Sequence, residues 1–293
     1  APPGPPPAGQ APAGAPPASP RDSAAVGGNV ASIFARIRAG QAPAQETPAV
    51  DLAPAAPQAK GAPDGALSDA DEALLQRRDS ATMETEIGLS RRLKRVLQDE
   101  QNDLLDRLRG VRGEPVAADL LPRPATQTAR LVAASRPLLD QAIRAGAGFT
   151  QEMAGGSPAQ TAPGADGEDL SVALAEAVAM PLRQRLIHAF ESAAGDEQSV
   201  LVDALGAAYR EWKTHRIERL AADHVAGAFA LGSFEAVPPG AGVRWLVNDV
   251  DGPCPDCDDN ALAGVVARAE EFPTGQRHPP AHSGCRCLLV LGG

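Results

Sequence analysis

All four cysteines of this 293-residue chain fall between positions 254 and 287, with two histidines among them. The order is Cys254-x-x-Cys257, then 24 residues, then His282-x-x-Cys285-x-Cys287. Soft donors crowded in this way restrict what the C-terminal part can fold into. Two thiolates three positions apart on a tight turn reach one ion together, and Pro255 stiffens that turn. Zn–S bonds are about 2.3 Å long, so the ligands must converge. Cys254, Cys257, His282, Cys285 and Cys287 are the candidate ligands, with His278 a more distant sixth. A tetrahedral site needs only four. The expected set is Cys254, Cys257 and Cys287 with one of His282 or Cys285, and the spacing leaves that last choice open. Residues two apart on a strand point the same way, so Cys285 and Cys287 can also ligate together. A donor left over would hold a thiolate from outside by hydrogen bonding. A closed site of this kind is structural and supplies folding free energy to a segment with few apolar residues.

Other chemistries fit these residues less well. A disulfide framework belongs to exported domains with scattered cysteines, and no leader pattern is legible at the N-terminus. A redox Cys-x-x-Cys pair would sit beside a β-α-β pattern, which is missing here. A catalytic zinc would need a nearby base. Asp256, Asp258, Asp259, Glu270 and Glu271 are close in sequence but read as solvated turn residues. A deaminase site pairs Pro-Cys-x-x-Cys with an upstream His-x-Glu. Pro253 to Cys257 supplies the second half, but His224 is followed two residues on by Ala226. His188, His215 and His224 read as helix-surface or core-edge residues. Neither a phosphate-binding glycine loop nor a G-x-S-x-G elbow is present.

The remainder reads as mainly α. Fourteen of the 28 prolines lie within residues 1–63. Residues 1–65 are therefore expected to be a disordered Pro/Ala/Gly-rich tail. One island, 26–39, carries Val30, Ile33, Phe34 and Ile37 at helical spacing and predicts a short amphipathic helix. From Ser68 a helical pattern runs to about Arg109, with Gly88 a possible kink. The basic run Arg91, Arg92, Lys94, Arg95 is expected to pair with Asp99, Glu100, Asp103 and Asp106. Pro115, Pro122 and Pro124 mark a linker. Further helices are expected over 125–153, from 168 with a kink or break at Pro181, and over 196–231. Residues 66–231 thus predict an elongated helical bundle. Residues 232–293 predict a small α+β, zinc-stabilised module with strands at 243–247 and 287–291. All the metal-type ligands lie in that module. Removing the metal is therefore expected to unfold 240–293 and spare the helices.

Charge narrows the partners. The net charge is −10, and residues 232–293 carry four basic against eight acidic residues. A zinc-ribbon-like nucleic-acid module is thus a poor fit, because phosphate binding needs a basic surface. No run of about 18 apolar residues predicts a membrane span.

The C-terminal residues resemble the phage Mu F-like head morphogenesis family, also called minor capsid proteins. The likeness rests on Trp245, Cys254-Pro-Asp-Cys257, Phe272-Pro-Thr-Gly275 and Pro279-Pro-Ala-His282-Ser-Gly-Cys285-Arg-Cys287. The ending Pro-Pro-x-His-x-x-Cys-Arg-Cys is its specific part. Arg216 to His224, followed by Ala228-Phe-Ala-Leu-Gly232, also resembles the helix that precedes the motif in that family. Where the family usually has Arg-Thr-Glu, this chain has Ala222-Asp223-His224. The resemblance covers the last 50 to 80 residues. It implies a non-enzymatic protein of the phage or prophage head that associates with portal or capsid proteins. The implied location is the virion or procapsid, or the cytoplasm of the host during assembly.

Overall fold

The computed structural model describes residues 67–156, 167–248, 252 and 254–292. The expected tail over 1–65 and its helix at 26–39 lie outside the described residues. What is described is mainly helical, with a small antiparallel sheet toward the C-terminus.

Helix α1 (Asp69–Arg109) starts where Ser68 caps it, its Oγ accepting the Asp71 N–H at 3.1 Å. Asp69, Asp71 and Glu72 occupy the first turn and Arg107 and Arg109 the last, matching the helix dipole at both ends. Apart from Ser90, its buried residues recur every three or four positions: Leu75, Arg78, Thr82, Thr85, Leu89, Leu93, Leu97, Glu100, Leu104 and Leu108. The stripe is polar in its first half and leucine-rich in its second. Gly88 lies within the continuous helix and does not break it.

The short α2 (Ala117–Leu120) leads into α3 (Pro124–Met153), which has Pro124 in its first turn. Next come α4 (Glu168–Ser192) and α5 (Gln198–Glu211), a π-helical segment (Trp212–Arg216), and α6 (Ile217–Glu235). Pro181 neither ends nor divides α4. Leu174, Val178, Leu182 and Leu186 are buried on one face around it. That packing outweighs the hydrogen bond lost to the proline ring. The single helix expected over 196–231 is instead two helices joined by the π segment, which buries Trp212 and reaches Lys213 out to Gln98 and Gln101.

Helices α3 and α6 cross with their backbones in close contact. A Cβ on Gly146 would lie 1.9 Å from the Phe229 carbonyl oxygen, and one on Gly232 would lie 1.9 Å from that of Ile143. The Ser233 hydroxyl donates to the Gly146 carbonyl at 3.1 Å across this crossing.

The expected pairing of the basic run with the acids that follow it is not what forms. Lys94 pairs with Glu218 on α6, and Asp103 pairs with Arg130 on α3. Glu100 is 1% exposed and accepts from Gln127 at 2.7 Å and from the Tyr209 hydroxyl at 2.9 Å. Of the charged residues in this stretch Glu100 alone is turned inward; Arg91, Arg92, Arg95, Asp99, Asp103 and Asp106 stay exposed.

The sheet has the order β2-β1-β3, with β1 (Gly242–Leu246), β2 (Val265–Ala267) and β3 (Leu288–Leu291) all antiparallel. β2 was not foreseen, and neither was α7 (Pro255–Leu262) between β1 and β2. Both faces of the sheet are covered. Leu246, Leu288 and Val290 pack with Leu75, Phe149 and Phe229 of the helices. Val243, Trp245 and Leu289 pack with Cys257, Phe272, Cys285 and Cys287 on the other side. Burial on two faces accounts for the unbroken apolar run 288–291. The boundary expected at residue 232 is therefore a change of secondary structure and not a gap in packing. The described residues form one compact unit.

Candidate metal centre

The pairing of β1 with β3 brings the two halves of the cysteine motif together. Leu246 pairs with Leu288, so the chain leaving β1 toward Cys254 and the chain entering β3 from Cys287 lie at the same end of the sheet. Cys254 precedes α7 and Pro255 opens it, so Cys257 lies in the first helical turn. Pro is favoured there because its missing N–H would be unpaired anyway. The Asp258 N–H donates to the Cys254 carbonyl at 2.9 Å. The expected tight turn is thus the start of a helix. Asn260 holds the Phe272–Gly275 turn through Thr274, donating to its hydroxyl at 2.8 Å and accepting its N–H at 3.1 Å. Phe272 then packs edge-on against Trp245 at 5.2 Å.

The second half is a turn in which the Cys285 N–H donates to the His282 carbonyl at 3.1 Å. Gly284 takes φ +82° within it, a left-handed conformation that glycine adopts without strain. His282 Nδ1 lies 2.9 Å from the Ser283 carbonyl and donates to it. That tautomer leaves the Nε2 lone pair free, as a metal ligand requires. Nε2 lies 3.0 Å from Cys254 Sγ and 3.4 Å from Cys257 Sγ. Cys257 Sγ lies 3.7 Å from Cys285 Sγ.

These distances fit a metal ion. Bonds of about 2.3 Å in a tetrahedron place two sulfurs about 3.8 Å apart. A disulfide would place them at about 2.05 Å, and all four cysteines are free. The donors form two triads, Cys254–Cys257–His282 and Cys257–Cys285–Cys287, each within 4.8 Å and sharing Cys257. All five residues singled out in the sequence are therefore brought together. His278 is not among them: its Nδ1 donates to the Pro279 carbonyl and its ring packs on Phe234. His224 donates to the Leu220 carbonyl, and burial lowers its pKa, keeping it neutral. The acids Asp256, Asp258, Asp259, Glu270 and Glu271 are exposed and belong to neither triad.

Without a cation, the thiols cannot all ionise together. Hydrogen bonding from Cys287 holds the Cys285 thiol down at about 5, although burial opposes it. Burial pushes the Cys257 thiol up to about 12. The bond to Cys285, followed by burial, pushes the Cys287 thiol far above its usual range. One thiolate is shared among buried sulfurs, and a bound cation would supply the missing positive charge.

Two helices brace this loop. Asp223 on α6 accepts from Ser283 Oγ at 2.8 Å and from Arg286 Nη2 at 3.0 Å. Arg78 on α1 donates to the Arg286 carbonyl at 2.6 Å. A cleft of about 480 Å³ opens onto the donors, with Arg219, Asp223 and Asn248 among its walls.

Fold and site together define a mainly helical protein with a cysteine–histidine cluster compatible with a metal ion. No protein-family model, curated protein or solved structure matches the chain. Among the described residues, no helix is long and apolar enough to cross a membrane.

Proposed function

We propose that the cluster holds one structural Zn²⁺ in a non-enzymatic protein of the phage or prophage head, which associates with portal or capsid proteins. The observation that carries the zinc reading is the convergence of His282 Nε2 on both Cys254 and Cys257, with Cys285 a tetrahedral edge away from Cys257. Cys254, Cys257, His282 and Cys285 are the four ligands, and Cys287 hydrogen-bonds to Cys285 from outside. Zinc suits this donor set because it takes thiolate and imidazole together and has no redox chemistry to control. Among the described residues neither triad includes a carboxylate, which favours a staple over a reaction centre.

The head-assembly part rests on the likeness of Pro279–Cys287 and its preceding residues to the Mu F-like family. Elemental analysis of the purified protein tests the first part, with one zinc per chain expected. Co-purification with phage portal and capsid proteins tests the second. A chain carrying no metal, or one that stays apart from procapsids assembled in its presence, would remove the corresponding half.

A further inference from the structure

Arg78 sits nine residues into α1 and is 4% exposed. A buried guanidinium is costly unless its donors are used. Its Nη1 reaches the Arg286 carbonyl at 2.6 Å and the Cys287 carbonyl at 3.4 Å, and its Nε pairs with Asp79 at 2.6 Å. The preceding carbonyl, that of Cys285, accepts from Arg286 Nη1 at 3.1 Å. Three consecutive carbonyls of the ligand loop thus accept from guanidinium groups.

The middle of these is decisive. In a trans peptide the C=O and N–H point in opposite directions. The peptide whose carbonyl Arg78 takes joins Arg286 to Cys287, so its Cys287 N–H lies on the side away from Arg78. We propose that Arg78 is a positioning residue of the metal centre: by holding the Arg286 and Cys287 carbonyls it fixes the loop that carries the Cys285 sulfur, and its buried positive charge draws electron density from the thiolates. This inference rests on the metal-centre reading. Three thiolates and a neutral imidazole around Zn²⁺ leave one net negative charge, which the buried cation also offsets. Partners of this outer kind are worth about 10- to 100-fold in metal affinity.

The test compares wild type with Arg78→Met and Arg78→Lys in the full chain. Zinc affinity is read by competition with a chromophoric chelator, and the sulfur-to-metal charge-transfer band is read after Co²⁺ substitution. Arg78→Met is expected to weaken zinc binding by about 10- to 100-fold and to move the band to lower energy, because the sulfur becomes more electron-rich. Arg78→Lys keeps the charge and should fall between the two. A purely structural arginine would leave the band unmoved. Should Arg78→Met fail to fold, the band position in Arg78→Lys decides, with no shift counting against the proposal. Wild type that binds neither ion removes the metal centre and this inference with it. Wild type that binds both, beside variants with unchanged affinity and spectrum, removes only the role of Arg78.

Discussion

Arg244 on β1 pairs with Asp71, a residue 173 positions earlier in the first turn of α1. This pair, the Arg78 contacts and the shared packing of Leu75 with Leu288 and Val290 tie the start of α1 to the sheet. The second half of α1, from Leu89 to Leu108, packs in the main helical core instead.

That division revises what metal removal should do. Loss of the ion is expected to loosen residues 242–291 and also residues 69–85 of α1, while 93–108 stay protected. Hydrogen exchange with and without a chelator measures this directly. Protection lost only beyond residue 240 would mean that the contacts of Asp71 and Arg78 carry no coupling.

Metal affinity should rise with pH. The Cys257 thiol stands at about 12 in the metal-free protein, so at neutral pH it holds a proton that binding must displace. Each such proton makes the affinity rise about tenfold per pH unit below that value. Calorimetry in buffers of different ionisation enthalpy counts the protons released. Fewer than one per zinc at pH 7 would contradict this account.

Replacing Gly232 with Val should destabilise the fold by about 3 kcal/mol or more, because the backbones of α3 and α6 would have to separate. The same holds for Gly146→Val. Gly206→Ala on α5 is the control, since nothing lies within 4 Å of its added Cβ. Thermal unfolding followed by circular dichroism should separate the two classes clearly.

Glu100→Gln should gain stability over wild type as pH rises. Burial raises the Glu100 carboxyl above its ordinary 4.5, against the hydrogen bonds from Tyr209 and Gln127 and the charges of Arg130 and Arg107. Its folded value therefore exceeds its unfolded one. The stability tied to the neutral acid is fully present below the unfolded value and is lost as pH climbs through the folded one. Glu100 Oε2 and Gln127 Oε1 are both buried without a donor, and an amide at position 100 can supply one. Urea midpoints for both proteins from pH 4 to 8 give the comparison. Parallel curves would show that Glu100 does not titrate in this range.

What could be read ahead of the structure was local. The Ser68 cap, the leucine stripe of α1 and the five donors announce themselves through spacing alone. The helical start at Cys254-Pro255 was also legible, since proline is common at the first helical position, but a tight turn explains the same residues. β2 is three residues long and largely exposed, too short to carry a pattern. Arg78, Glu100 and Asp223 look like ordinary surface charges in any window. Apart from Asp79 beside Arg78, their partners lie from 27 to more than 200 positions away, and nothing nearby in the chain distinguishes a charge that will be buried.

The sheet between the two cores has one more consequence. Along β3 the side chains alternate, with Leu288 and Val290 toward the helices and Leu289 toward the cysteines. All are apolar, so sliding by one residue would exchange the two faces with little hydrophobic penalty. Cys285, just upstream of the strand, cannot slide without leaving its partners. A bound ion would therefore act as a register pin, fixing which side of an otherwise ambiguous strand faces which core.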